Sequence, residues 1–360
     1  MPPTILITAA AGYWGTRLAA ALAAQPGDLR LLGVDRKPLP QEIPGLDFIR
    51  GDIRNPLIQD FLAAERVQTV VHLDFVEHPR HEQKAYTHNV LAAKKFFAMC
   101  AAAGVRKLIL KSSTAVYGAH PTNPLFLTED HPLNGSRMYA HNQHLAEIES
   151  FANGFARQHP ALSLTILRFA HIVGPTADTP LTRFLTDARA PSLLGFNPLV
   201  QIIHEDDVIA ALAHAATHHH PGAFNIAADP PLPLNKLMAL AGKLPLPVPH
   251  PLAYATASGP RAQHLPIEPD YLRYPCVAAL EKMRTQLHFT PQHTAEETLR
   301  QFAEATRHMP YVPDPLARAY QKSPLKDILE RRLRKEDHDP DFDFHDDDFD
   351  LDAQELTDDE

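Results

Sequence analysis

The chain has 360 residues, 44% of them hydrophobic, with 34 Lys and Arg against 43 Asp and Glu for a formal net charge of -9, enough to bury the core of one large domain or two of ordinary size. Cys100 and Cys276 are too few for a disulfide framework or a four-cysteine zinc site; both sit in runs that read as helical, which points to a reducing, cytoplasmic setting. No apolar run reaches the roughly 20 residues that span a bilayer and no charged region precedes the first strand, so neither a transmembrane segment nor a signal peptide is expected.

In chain order, residues 4–8 read as a buried strand and 16–24 as an alanine-leucine helix. A second strand follows at 31–35, a short third at 48–50, a helix at 56–65 and a fourth strand at 69–73. Residues 85–103 form a long helix, 107–112 a fifth strand, 140–158 a helix and 164–168 a sixth strand. Continuous apolar strands separated by helices predict a parallel sheet covered on both faces, a doubly wound Rossmann-type α/β architecture. Residues 1–175 are expected to form this core, 176–310 a smaller substrate lobe interleaved with returning core elements, 311–335 a basic helix and 336–360 an acidic tail.

The turn Thr8-Ala9-Ala10-Ala11-Gly12-Tyr13-Trp14-Gly15 lies between a strand and a helix, where backbone NH groups and the helix N-terminus can hold a pyrophosphate. Gly12 lets the backbone approach the phosphates and Gly15 lets helix and strand pack closely, while Ala9 replaces the usual glycine of the tight turn. Asp35 ends the second strand, 20 residues after Gly15, the distance at which a carboxylate accepts from the adenosine ribose hydroxyls. A carboxylate there repels a 2′-phosphate, which favours NAD over NADP; the neighbouring Arg36 is the residue able to accommodate that phosphate. Asp52 is placed to meet the adenine amino group and Ile53 the ring, and Leu73 to Phe75 lie near the ribose and nicotinamide.

These segments, together with His72-Leu73, Asn89-Val90 and Ser112-Ser113-Thr114-Ala115-Val116-Tyr117-Gly118, resemble the extended short-chain dehydrogenase/reductases. More narrowly they resemble the NAD-dependent epimerase/dehydratase group that includes UDP-glucose 4-epimerase. Leu167-Arg168-Phe169-Ala170-His171-Ile172-Val173-Gly174-Pro175, Ile203-His204-Glu205-Asp206-Asp207-Val208 and Gly222-Ala223-Phe224-Asn225-Ile226 extend the match in order, so that it runs from about residue 4 to about residue 305. The resemblance implies that Ser113 hydrogen-bonds the substrate oxygen and that Tyr139 is the general acid/base. It implies cofactor contacts from Ser112, Asn89, Phe169 and His171 as well. In the family a lysine four residues after the tyrosine stabilises the phenolate and bonds the nicotinamide ribose; here that position is Gln143. Glutamine donates hydrogen bonds without a charge, so cofactor binding is expected to persist while activation of a phenol with an ordinary pKa of about 10 weakens. His141 and His144 are off the ideal three- or four-residue spacing from Tyr139, and His171 or His204 is a candidate for a proton path from elsewhere.

In the family the lobe recognises the nucleotide of a sugar-nucleotide substrate, which makes Arg183, Gln201, His204 and Arg273 the substrate-binding candidates, with Phe196 beside them. The proline-dense Leu244-Pro245-Leu246-Pro247-Val248-Pro249-His250-Pro251 predicts loops across the cleft. His218-His219-His220 before Pro221-Gly222 reads as a helix end, and no metal site is expected. By the same resemblance, helices 85–103 and 140–158 would form a four-helix homodimer face.

The net charge is unevenly spread. Residues 336–360 hold 14 acidic residues and no Lys or Arg, which leaves 34 basic against 29 acidic residues in the body. The tail is expected to be disordered, either solubilising or carrying a short motif for a protein partner. Residues 324–335 read as a basic helix, either solvated or docked on an acidic partner or anionic lipid. No nucleic-acid motif is present, and the adjacent acidic tail would repel phosphate. Two functional classes follow: an NAD-dependent oxidoreductase of epimerase/dehydratase type acting on a nucleotide sugar or related secondary alcohol, and a catalytically weakened NAD-binding scaffold that engages partners through its tail.

Overall fold

A computed structural model of the protein describes residues 2–76, 82–135, 140–186, 189–251 and 267–307. Ile5 and Ile7 of the first strand β1 (Thr4–Thr8) join one core cluster and Leu6 the other. This alternation is why the strand is apolar throughout: both of its faces are covered. The remaining core elements are α1 (Tyr13–Ala23), β2 (Arg30–Asp35), β3 (Leu46–Arg50), α2 (Leu57–Ala64), β4 (Thr69–His72), α3 (Glu82–Tyr86), α4 (Ala93–Ala102), β5 (Lys107–Ser113), α5 (Ala140–Gln158) and β6 (Ser163–Phe169).

Next come β7 (His171–Val173), α6 (Pro180–Phe184), β8 (Arg189–Leu193), β9 (Leu199–Val200), β10 (Ile202–His204), α7 (Glu205–Thr217), β11 (Gly222–Ile226), β12 (Leu232–Pro233), α8 (Leu234–Leu240) and β13 (Leu244–Val248). The helices Glu281–Thr285 and Ala295–Arg307 close the described chain. Seven parallel strands form the central sheet in the order β11-β6-β5-β4-β1-β2-β3. The order reverses between β1 and β4, and in open α/β sheets a crevice at the carboxyl ends of the strands opens there. Leu18 and Leu22 of α1 and Val208 and Leu212 of α7 cover one face, and Leu62, Phe96, Phe97 and Ile148 cover the other. A third cluster around Leu181, Leu193, Leu237 and Leu299 lies apart from both sheet faces. It belongs with them to one unit, Met1–Arg307.

Three expectations need correction. The long helix at 85–103 is divided by a π-helical turn, Thr87–Ala92, and that widened turn holds the fully buried Asn89. The proline-dense stretch is not a loop: β13 pairs in parallel with β8, matching Pro245 to Ala190 and Pro247 to Ser192. Prolines two residues apart leave the missing N–H groups on a single side of the strand, which an edge strand tolerates. Cys276 sits in irregular backbone, its thiol 3.7 Å from the Thr114 carbonyl oxygen, rather than in a helix. The basic segment and the acidic tail, within His308–Glu360, lie outside the described residues.

A buried polar chain ties α5 to the sheet. Glu149, 0% exposed, accepts from Ser112 Oγ, from Arg168 Nε at 2.8 Å and from Arg168 Nη2 at 2.7 Å. Arg168 Nη1 donates to Tyr117 Oη at 2.6 Å, and Tyr117 donates on to Asn225 Oδ1 at 2.7 Å. Removing one member leaves a charge stranded in the core, so Glu149→Ala is expected to lower unfolding stability by about 3–5 kcal/mol in urea titrations. A loss below about 1 kcal/mol, the size of a surface pair, would show that this network is solvated.

Candidate active site

Everything at the first turn is close-packed. A Cβ on Gly15 would strike the Ala9 carbonyl oxygen and come within 2.6 Å of the Ala10 Cα, so the helix lies against the turn that leaves β1 as closely as the backbone allows. Ala9 adopts a left-handed φ of 51°, the conformation usually left to glycine, and its carbonyl accepts from Gly12 N at 2.9 Å. The departure from glycine is therefore accommodated with the turn intact. Gly12 starts α1 with no side-chain cap, which leaves the positive end of the helix facing the crevice.

Asp35 is built into the same turn. One carboxylate oxygen accepts from Ala11 N at 3.1 Å and the other from Lys37 N at 3.0 Å. A carboxylate offers about four lone-pair sites, so capacity remains for two more donors. Arg36 accepts at its carbonyl from Arg50 Nε at 3.1 Å. Arg54 holds Asp52 in a bidentate pair, with two contacts of 2.9 Å from its Nε, and pulls the carboxyl down to about 2. An adenine amino group would share Asp52 with that arginine. Ile53 beside it is buried.

At the end of β4, Thr8 Oγ1 accepts from Leu73 N at 2.9 Å and meets His72 Nδ1 at 3.1 Å. Asn89 clamps the next loop, accepting from Val76 N at 2.8 Å and donating to Val76 O at 3.0 Å. Asn89 thus shapes the segment carrying Leu73 and Phe75. The His72 ring packs edge-on to Phe75 and Phe97, and burial pushes its pKa down to about 4.

Ser113 ends β5 half-buried, its Oγ accepting from Ala115 N at 3.1 Å. Ser112 points to the opposite face, toward Glu149. Tyr139 lies outside the described residues. Gln143 is exposed on the first turn of α5, while His144 is buried against Tyr86. Phe169 is buried at the end of β6. His171 packs edge-on to Tyr271, and burial lowers its pKa to about 4, so it is neutral at physiological pH and brings no charge that would replace a lysine.

The lobe candidates divide. Gln201 spends its amide on backbone, donating to Ala278 O at 3.1 Å and accepting from Ala278 N at 2.8 Å. His204 caps α7, accepting from Asp206 N at 3.1 Å, and its other nitrogen meets Gln301 Oε1 at 3.1 Å. Both are occupied inside the protein. Arg183 is paired with Asp178. Arg273 lies over Phe196 and Tyr274 and bonds His250 Nε2 at 2.7 Å, while its buried Nε has no hydrogen-bond partner among the described residues. His204, Asp206 and His293 bring candidate ligand atoms within 4.8 Å of one another. The two rings stack face to face at 3.9 Å, so their in-plane lone pairs do not converge, and Asp206 is paired with Arg17.

Sequence reasoning passed over Lys111, whose ammonium lies 5.1 Å from the centre of the Trp14 ring. The available signal was a cation inside an apolar strand. It also passed over Glu205, which receives Tyr13 Oη at 2.8 Å, Thr176 Oγ1 at 2.8 Å and Arg17 at 3.2 Å, joining α1 to α7.

A parallel sheet wound outward in two directions from β1, with its first turn opening on the crevice, is the make-up of a Rossmann-type α/β protein. The chain belongs to the NAD-dependent epimerase/dehydratase family, whose model matches residues 5–227. An uncharacterized protein of Mycobacterium tuberculosis is 34% identical over 308 residues, 82% of this chain and 82% of the relative. UDP-glucose 4-epimerase of Azospirillum brasilense is 26% identical over 221 residues, 57% of this chain and 61% of that protein. Among solved structures, MoeE5 in complex with UDP-glucuronic acid and NAD matches with a TM-score of 0.66 at 25% identity, over 84% of this chain and 99% of that one. UDP-glucose 4-epimerase of Thermotoga maritima shares the fold, with a TM-score of 0.65 at 20% identity over 84% and 98%.

Burial of neutral His72 has a consequence for stability. The native state keeps it unprotonated down to about pH 4, whereas the unfolded chain takes the proton near its ordinary value of 6.5. Its contribution is therefore complete above pH 6.5 and is lost as pH falls toward 4. Between pH 7 and pH 5, wild type should lose on the order of 2 kcal/mol more than His72→Phe in urea unfolding. Parallel losses in the two proteins would mean that His72 is protonated in the native state.

Proposed function

We propose that the chain binds NAD and carries out reversible hydride transfer at a secondary alcohol, with a nucleotide sugar as the substrate class and a weakened acid/base site. The observation that carries the reading is the Asp35 carboxylate, bonded to the Ala11 amide at 3.1 Å at the mouth of the glycine-lined turn. The position suits the adenosine ribose hydroxyls and disfavours a 2′-phosphate. Family membership supports the cofactor, and the relatives named for UDP-glucose or solved with UDP-glucuronic acid and NAD support the substrate class.

NAD, when bound, supplies the hydride acceptor. The amides that begin α1 would hold the pyrophosphate, Asp35 the adenosine ribose, and Leu73 and Phe75 the nicotinamide half. Ser113 orients the substrate hydroxyl. Tyr139 takes that hydroxyl's proton as hydride leaves the same carbon, and returns a proton in the reverse step. Gln143 would donate to the nicotinamide ribose. Being uncharged, it supplies no cation to help the phenol give up its proton, which weakens the acid/base site. Of the lobe arginines, Arg273 is the candidate for a substrate diphosphate, since a guanidinium forks onto two oxygens and its Nε has no hydrogen-bond partner among the described residues, whereas Arg183 is held by Asp178.

Exchange of deuterium between ring-deuterated UDP-glucose or UDP-glucuronic acid and NAD, in wild type and Gln143→Lys, tests the acid/base assignment. Restoring the charge should raise the rate by on the order of 10²-fold, within the range a positioned acid/base group contributes. Equal rates in the two proteins would mean that another group activates the substrate. No exchange in either, with NAD bound, would leave a binding protein.

A further inference from the structure

We propose that the amino end of the central sheet carries a second ligand site, which takes the phosphate group of a small anionic metabolite between Arg106 and Arg157. The inference does not depend on the NAD reading, because the site lies at the opposite edge of the sheet from the cofactor crevice. Thr69, Lys107 and Ser163 are the first residues of β4, β5 and β6, and an open depression of about 760 Å³ runs over these three strand starts. β5 has seven residues from Lys107 to Ser113, so at about 3.3 Å per residue the two edges stand about 20 Å apart. The volume suits a small ligand.

Only one sign of charge lines the depression. Arg106 and Lys107 come from the start of β5, Arg157 from the last turn of α5 and His219 from the segment after α7, and no Asp or Glu of the described residues borders it. Neither guanidinium has a hydrogen-bond or ion-pair partner among the described residues. By contrast, Arg30, Arg54, Arg183 and Arg284 at the surface are each held by a carboxylate. Lys107 is 9% exposed and donates to Ala215 O, Ala216 O and His218 O at 2.7–2.8 Å. No carboxylate balances it, and burial pushes its pKa down to about 8. A buried charge ordinarily has a counter-charge. The Ser163 hydroxyl is also buried without a hydrogen-bond partner among the described residues, a deficit that an acceptor entering the depression would remove.

A purely structural account assigns these cations to the helices. α5 and α7 both end here, and Lys107 and Arg157 offset the negative ends of their dipoles. The magnitudes leave a remainder. Two helix ends amount to about one negative charge against three cations, so a surplus of about two is left, close to what one phosphate monoester carries. The charges converge in one depression rather than along a track, which fits a compact anion and not a nucleic-acid backbone.

Calorimetric titration of the full chain with pyrophosphate tests this in wild type, Arg106→Gln, Arg157→Gln, the double Gln variant and Arg300→Gln, the last an exposed arginine of the helix Ala295–Arg307. A thermal melt of each establishes folding. Losing one charged hydrogen bond should weaken pyrophosphate by about tenfold in each single variant and further in the double variant. Arg300→Gln should bind it as wild type does. Pyrophosphate held at the α1 turn would be untouched by these substitutions, so the differences read this site alone. No pyrophosphate binding by wild type, or equal affinity in wild type and the Gln variants, would overturn the inference. So would a matching loss in Arg300→Gln, which would mean a diffuse effect of surface charge. Should the double variant fail to fold, the two single variants decide on the same terms.

Discussion

The close approach of α1 to the turn after β1 is the constraint from which the rest of the site follows. Gly15 has no space for a side chain against the Ala9 carbonyl and the Ala10 Cα. That contact fixes the turn, the turn aims the first amides of the helix at the crevice, and Asp35 is locked to the turn through Ala11 N. A ligand entering the crevice therefore meets donors and a carboxylate already in place, so little ordering remains to be done when it binds. Gly33 belongs to the same arrangement, since a Cβ there would come within 2.8 Å of Ala10 Cβ.

Farther along the sheet, precision comes from polar groups. Ser112, Glu149, Arg168, Tyr117 and Asn225 form a continuous chain of hydrogen bonds beneath the carboxyl edge. It anchors α5, the helix that carries Gln143, against β5, the strand that ends in Ser113. Such a network costs desolvation and repays it only with complete pairing, which makes the relative placement of strand and helix difficult to vary. Asn225 extends the same chain to Leu127 O and Ala279 O. The sheet, the loop after Ser113 and the return from the lobe are thereby held in one register.

Much of the core was legible because burial on both faces of a parallel sheet writes itself into the chain as short apolar runs. Thr4–Thr8, Arg30–Asp35 and Lys107–Ser113 stand within a residue or so of where pattern alone puts them. The turn and Asp35 were legible for a related reason: their chemistry depends on spacing along the chain. Residues acting through long-range partners were not. Gln201 looks like a polar residue near a cleft, and only its two bonds to Ala278 identify it as a clamp. The paired strands β8 and β13 were hidden because proline reads locally as a breaker, whereas an edge strand can use it. Lys111 was overlooked because its contact with the Trp14 ring depends on reach across the sheet, which no local pattern shows.

We infer that the crevice between β1 and β4 is shaped and charged for a dinucleotide without a 2′-phosphate. Calorimetric titration of the full chain with NADH and NADPH at one ionic strength tests it most directly. The account predicts binding of NADH with an affinity at least tenfold above that of NADPH, the scale of one unfavourable charge contact at Asp35. Equal affinity for the two, or no heat from either, would contradict it.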